Sequence, residues 1–68
     1  MSVGEKDIKR INKALDAMEQ GRYAGLKLGW ITERIDWLWK FRHITREQME
    51  KLADRTTYII ENYGLNYL

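Results

Sequence analysis

All three tryptophans of the chain lie in one stretch, Gly29-Trp30-Ile31-Thr32-Glu33-Arg34-Ile35-Asp36-Trp37-Leu38-Trp39-Lys40-Phe41. At about 100° per residue on a helix, Trp30 and Trp37 lie within roughly 20° of each other, whereas Trp39 lies about 200° from Trp37. A buried aromatic ring of this size removes roughly 150 to 250 Å² from water, so one face of one neighbour cannot serve all three. We therefore expect this helix to be covered on two sides, by the chain's own helices, by a second copy or by another molecule.

This stretch belongs to the second of three predicted helices, about residues 23–42. An aliphatic stripe runs along it, formed by Leu28, Ile31, Ile35 and Leu38. Trp30, Trp37 and Phe41 form an aromatic stripe roughly 100° or more away, and Trp39 lies on the far side of the aliphatic stripe. We assign the aromatic stripe to packing, inside the bundle or between copies. Trp39 is the exception, and we assign it to a partner.

The flanking sequence predicts two further amphipathic helices, about residues 5–20 and 46–63. Each begins with a capping box, in which Ser2 pairs with Glu5 and Thr45 with Gln48. Residues of the buried face then recur every three or four positions: Ile8, Ile11, Leu15 and Met18 in the first helix, and Met49, Leu52, Thr56, Ile59 and Tyr63 in the last, with Ala53 and Ile60 beside them. Gly64 ends the last helix, and a short apolar tail, residues 64–68, follows. The sequence predicts one all-α domain over residues 1–68, either a small three-helix bundle or a helical hairpin with an additional N-terminal helix.

Three glycines recur every four residues before and inside the second helix: Gly21, Gly25 and Gly29. One interpretation is that they loosen the junction between the first two helices, since each glycine costs about 1 kcal/mol in a helix interior. The other is a continuous helix whose glycine stripe lets another backbone approach closely.

Length and composition limit the class of protein. A chain of 68 residues buries only about 60% of its unfolded surface, so we expect it to be oligomeric. It contains no cysteine, no apolar run that could span a bilayer and no signal-peptide pattern, which predicts a cytoplasmic protein without a membrane span. The small size is typical of proteins encoded by phages and mobile elements, in which case the compartment is the host cytoplasm.

Residues able to perform catalysis are few. His43 is the only histidine, and with no cysteine and no serine beyond Ser2 it cannot build a nucleophile with a base and an orienting group. Acidic side chains line one face of the last helix, without a histidine at ligand spacing: Glu47, Glu50, Asp54 and Glu61. We expect no enzyme activity, no metal, no cofactor and no small-molecule substrate.

Surface aromatic residues point to protein binding. Trp39 projects away from Trp37, and Tyr58 projects roughly opposite the apolar stripe of its helix, while Tyr67 lies in the apolar tail. Together with Trp30, Trp37 and Phe41, these are the predicted partner-binding residues. The expected function is that of a protein–protein interaction module, such as an inhibitor, adaptor or assembly subunit, that covers a partner's surface and forms a homo-oligomer.

A nucleic-acid-binding regulator is the alternative. Basic residues cluster within about 100° of arc on the first helix, opposite its apolar stripe: Lys6, Lys9, Arg10 and Lys13. Such a stripe can follow a phosphate backbone. Glu5, Asp7 and Asp16 lie near enough along the helix to weaken its positive field.

Overall fold

Three helices follow one another in a computed structural model that describes residues 2–22 and 24–67, the last four of these as backbone only. They are α1 (Val3–Glu19), α2 (Leu28–Lys40) and α3 (Arg46–Tyr67). No strand occurs in these ranges. Helix α3 lies against both α1 and α2, and the radius of gyration of 11.3 Å is that expected for a compact chain of this length. The predicted all-α class with three helices is confirmed.

Helix α1 begins and ends at signals in the sequence. The N–H of Glu5 donates to Oγ of Ser2 at 3.2 Å, so the helix begins at Val3. At its other end Gly21 has a φ of +71°. The N–H groups of Gly21 and Arg22 donate to carbonyls of the last turn at 3.1 and 2.9 Å, which is a Schellman motif and needs a residue of positive φ at Gly21.

The repeated glycines are divided between a connection and a helix. Gly25 has a φ of +76° and lies with Gly21 in the segment 20–27 that joins α1 to α2, while Gly29 lies inside α2. The interpretation of a glycine-rich junction is therefore confirmed, and the continuous helix with a glycine stripe is wrong. The same connection explains why α2 begins at Leu28 rather than near residue 23.

Helix α2 ends in a second Schellman motif whose positive-φ residue is an arginine. Arg42 has a φ of 59°, and the N–H groups of Arg42 and His43 donate to the carbonyls of Trp39 and Leu38 at 3.0 and 2.8 Å. A residue with a Cβ pays roughly 1 to 2 kcal/mol for this conformation. The regular helix accordingly ends at Lys40, before the predicted end at residue 42.

Replacing Arg42 with Gly is expected to raise the free energy of unfolding by about 0.5 to 1 kcal/mol, because glycine adopts positive φ without a steric penalty. Urea denaturation followed by circular dichroism measures the change. Arg42→Ala is the matched control, since it removes the same side chain but keeps the Cβ, and we expect no gain from it. Equal stabilisation by both variants would assign the effect to the arginine side chain instead.

Helix α3 begins with the predicted capping box. The N–H of Gln48 donates to Oγ1 of Thr45 at 3.1 Å, and the N–H of Thr45 donates to Oε1 of Gln48 at 2.8 Å. The helix continues to Tyr67, so Gly64 does not end it and residues 64–67 are helical rather than a separate tail. A glycine in a helix interior costs only about 1 kcal/mol. It therefore ends a helix only where the residues after it gain more free energy from another conformation.

The core lies between the three helices and is built from the predicted apolar stripes. Ile44, in the turn between α2 and α3, adds a buried side chain that the periodicity did not include. The buried apolar residues are Ile11, Ala14, Leu15, Ala17, Met18, Leu28, Ile31, Ile35, Leu38, Ile44, Leu52 and Ile59. Ile8, Met49 and Tyr63 pack against them and are partly buried. Ile60 is 41% exposed and does not reinforce this core.

The first turn of α1 packs directly on the turn between α2 and α3. Gly4 is buried there, and a Cβ at this position would overlap the carbonyl oxygen of His43 and lie 2.9 Å from its carbonyl carbon. The close approach of the two backbones therefore requires glycine. The sequence assigned no role to Gly4, because the two contacting segments lie far apart in the chain.

Candidate functional site

The tryptophans face two different surfaces, as their helical spacing predicts. Trp30 and Trp37 both contact the guanidinium group of Arg34, whereas Trp39 lines a groove between α2 and α3. Trp30 is 36% exposed and Phe41 59% exposed, so their assignment to the interior of the bundle is wrong for the single chain. Helix α1 meets this side of α2 with charged side chains, which contact the rings without covering them.

We call the first surface the cation–aromatic face, and its residues are Arg10, Trp30, Arg34, Trp37, Phe41 and His43. The guanidinium carbon of Arg34 lies 4.1 Å from the ring centre of Trp37 and 5.9 Å from that of Trp30. Arg10 lies 5.2 Å from the ring centre of Trp30. Trp37 stacks on His43 at 4.8 Å and contacts Phe41 at 5.4 Å. Cations and rings thus alternate along this face.

Asp7 holds the centre of the cation–aromatic face in place. Its carboxylate accepts a hydrogen bond from Nε of Arg34 at 2.7 Å, and Asp7 is only 8% exposed. This partly buried ion pair joins α1 to α2. The sequence contained the signal, because Asp7 precedes Ile11 by four residues and Ala14 by seven, which puts it on the buried side of α1.

The second surface is the Trp39 groove, an apolar concavity of about 240 Å³ between α2 and α3. Ile35 and Thr56 are the buried members of its lining, while Trp39 and Ile60 are 39% and 41% exposed. The hydroxyl of Thr56 donates to the carbonyl of Leu52 at 2.7 Å, so its donor hydrogen is already used within the helix. The remaining lining residues are Thr32, Asp36, Met49, Ala53 and Thr57.

The charges next to the Trp39 groove are mainly negative. Glu33, Asp54 and Glu61 directly follow lining residues in the chain, are exposed, and form no ion pair within the described residues. The nearby cations Lys40 and Arg46 are paired with carboxylates of their own helices, whereas Arg42, which lines a second concavity with Trp39, forms no ion pair within the described residues. The groove therefore combines an apolar lining with unpaired carboxylates.

Tyr58, another predicted aromatic residue, lines neither surface. Tyr58 is 52% exposed and meets Tyr63 edge to face at 6.4 Å. The side chain of Tyr67 lies outside the described residues. His43 is exposed in the corner between α2 and α3, where the sequence placed it, and its stacking on Trp37 was not anticipated.

Arg55 of α3 forms hydrogen bonds and ion pairs with polar side chains of α1. Its guanidinium contacts a carboxylate oxygen of Asp16, and it donates to Oε1 of Glu19 at 3.3 Å and to Oδ1 of Asn12 at 2.9 Å. Burial disfavours the charged form, but hydrogen bonds and Coulombic attraction from Asp16 and Glu19 outweigh it and raise the pKa of Arg55. Sequence reasoning missed this cluster, because Arg55 lies far along the chain from its three partners on α1.

The predicted basic residues of α1 are all exposed, and they lie in different parts of the surface. Arg10 and Lys13 line one concavity together with Arg22 from the following connection. Lys9 lines a shallower depression with Lys13, Glu5 and Asp16, and Lys6 lies in neither. Arg22 was not among the predicted residues, because it lies outside the periodic pattern of the helix.

Two of the four predicted acidic residues of α3 form ion pairs on the surface, and Asp54 and Glu61 form none within the described residues. Glu47 and Glu50 pair with Lys51 and Arg46 at 3.2 and 3.0 Å. Within the described residues, no three His, Asp or Glu side chains are grouped so that they could hold a metal ion. Across the same residues, each helix is too short or too polar to cross a lipid bilayer.

Two surfaces of the molecule thus combine exposed aromatic rings with a defined charge. The Trp39 groove is apolar with carboxylates beside it, and the cation–aromatic face lies next to the basic residues of α1. Arg10 belongs to both that face and the concavity at the end of α1. No known protein family, curated protein or solved structure matches this chain.

Proposed function

We propose that this protein is a non-enzymatic binding module that docks a segment of another protein in the Trp39 groove. The observation that carries the proposal is the exposure of Trp39 and Ile60 beside the buried Ile35 in one apolar concavity. Tryptophan is among the residues that most often dominate interface energetics. An inhibitor, an adaptor or an assembly subunit acts in this way, by covering a binding surface of its partner.

The partner segment is an amphipathic helix with basic residues beside its apolar side chains. A groove of about 240 Å³ between two helices accepts a few apolar side chains from one face of a third helix. The unpaired Glu33, Asp54 and Glu61 then select for lysine or arginine on the flanks of that face.

Replacing Trp39 with Ala is expected to weaken binding of a short helical peptide of leucine and lysine at least tenfold, roughly the loss for truncating a dominant interface residue. The affinity is measured by isothermal titration calorimetry. A peptide with glutamate in place of lysine should bind more weakly to the unchanged protein, because it meets the carboxylates beside the groove.

Tyr58→Ala is the matched control, since Tyr58 is an exposed aromatic residue that does not line the groove. We expect it to leave the affinity for the leucine–lysine peptide unchanged. An equal loss in both variants, or a preference for the glutamate peptide, would refute docking in the Trp39 groove. Thermal melts of each variant check that the fold is intact.

The homo-oligomer expected from the sequence stays a prediction, and one observation favours it. Phe41 is 59% exposed and lies between Lys40 and Arg42 in the chain, so each copy offers an apolar side chain flanked by cations. Light scattering after size exclusion should then give a mass of at least two copies at micromolar concentration. If Trp39→Ala dissociates the oligomer, the groove is occupied by a second copy of this chain. That result would contradict the proposal that it binds a segment of another protein.

A further inference from the structure

We infer that the basic surface of α1 and the following connection binds the phosphate backbone of single-stranded nucleic acid. We call it the phosphate surface and define it by Lys6, Lys9, Arg10, Lys13 and Arg22. It contains no residue of the Trp39 groove, so it is a second site, separate from the proposed protein-binding one.

Within the part of the chain that the structure describes, the cations of the phosphate surface form no ion pairs. Lys27 and Arg42 also form none, whereas Arg34, Lys40, Arg46, Lys51 and Arg55 each pair with a carboxylate. Three of the four carboxylates of α1 are engaged by other helices, and Glu5, which lines a depression with Lys9 and Lys13, is the exception. Asp7 pairs with Arg34 of α2, and Asp16 and Glu19 pair with Arg55 of α3. These ion pairs between helices thus keep most of the α1 carboxylates from pairing with the cations of the phosphate surface.

Part of the phosphate surface is concave. Arg10, Lys13 and Arg22 line a space of about 360 Å³, and the described lining includes no carboxylate. The rest of the described lining is apolar and mostly small: Ala14, Ala17, Ala24, Gly25 and Leu26. Two guanidinium groups and an ammonium group around one concavity suit a phosphate, which accepts paired hydrogen bonds from arginine.

Neighbouring residues favour a strand with unpaired bases. Lys6, Arg10 and Lys13 follow one another at spacings of four and three residues, which forms a continuous row of cations along the helix. Trp30 is 36% exposed and lies beside Arg10, so a strand held by these cations reaches an aromatic ring on which a base can stack.

The same surface is poorly suited to a membrane. Ile11, Leu15 and Met18 are fully buried against the other helices, so α1 has no free apolar face to insert into lipid. An acidic polypeptide would satisfy the cations, but it would make no use of the neighbouring aromatic ring.

The test is fluorescence anisotropy with a labelled oligothymidine. With about four phosphate contacts to a single strand, the affinity should fall about 50-fold between 50 and 200 mM salt. The double variant Lys13→Gln and Arg22→Gln should weaken binding and halve the steepness of that salt dependence, because two contacts are lost. Trp30→Ala should cost about tenfold at constant salt, through loss of stacking.

The double variant Lys40→Gln and Lys51→Gln is the control, because it removes the same charge from exposed, paired lysines on α2 and α3. We expect it to bind the oligothymidine as the unchanged protein does. Absence of salt-sensitive binding, an equal loss in the control, or equally effective competition by polyglutamate would each overturn the proposal. So would binding of anionic phospholipid vesicles without binding of the oligothymidine.

Discussion

Replacing Gly4 with Ala is expected to lower the free energy of unfolding by about 2 to 3 kcal/mol, near the upper end for overpacking a close contact. The added Cβ would overlap the carbonyl oxygen of His43, and a backbone atom cannot rotate away as the end of a side chain can. Either the first turn of α1 unwinds or the whole helix moves away from the turn between α2 and α3. For a domain of this size the melting temperature should fall by roughly 10 to 20 °C.

Gly29→Ala is the matched control for Gly4→Ala, because both glycines lie near the start of a helix. A Cβ at Gly29 meets no atom within 4 Å, so we expect stabilisation of up to about 1 kcal/mol from higher helix propensity. Thermal denaturation followed by circular dichroism measures both variants. Similar melting temperatures for Gly4→Ala and the unchanged protein would show that the two backbones are not in contact at this point.

Replacing Arg34 with Met should lower the free energy of unfolding by about 2 to 3 kcal/mol. Asp7 is 8% exposed, so its carboxylate would be left buried without its partner. The ring of Trp37 would also lose the guanidinium that lies 4.1 Å from its centre. The expected loss of stability is smaller than that for breaking a fully buried ion pair, because the Arg34 side chain is 30% exposed.

A double-mutant cycle separates the ion pair from general packing. Asp7→Ala combined with Arg34→Met should cost less than the sum of the two single changes, since the double variant leaves no unpaired charge. Arg46→Met is the control, because its pair with Glu50 is of similar length but exposed, and it should cost less than about 0.5 kcal/mol. Additive single effects at Asp7 and Arg34 would refute a coupled pair. Urea denaturation provides the free energies.

Much of the fold could be predicted from local pattern. The capping box at Thr45 appears in the structure with both of its hydrogen bonds, and at Ser2 the side chain accepts the predicted bond from Glu5 without the return bond, because a cap uses only side chains and amides within one turn. The aliphatic stripe of α2 is buried as its periodicity predicts. Helix ends that depend on tertiary contacts were harder to predict. Helix α3 continues beyond Gly64, and Arg42 adopts a positive φ that its residue type disfavours.

The candidate surfaces were only partly predictable. Helical spacing correctly separated Trp39 from Trp30 and Trp37, since an angle around a helix follows from residue number alone. It could not show that Ile60 of α3 would lie beside Trp39 in one groove. Nor could it show that Trp30 and Phe41 would remain exposed, because that depends on which residues of α1 meet them.

The sequence by itself determined the helices, their caps and the faces that pack together, because these depend on contacts within a few residues along the chain. Only the tertiary structure decided the charges and close approaches between helices. It pairs Asp7 with Arg34 and Asp16 with Arg55, so within the described residues the basic side chains of α1 form no ion pair with these carboxylates. It also brings Gly4 against His43. These contacts join residues distant in the chain, and their geometry depends on how the three helices pack.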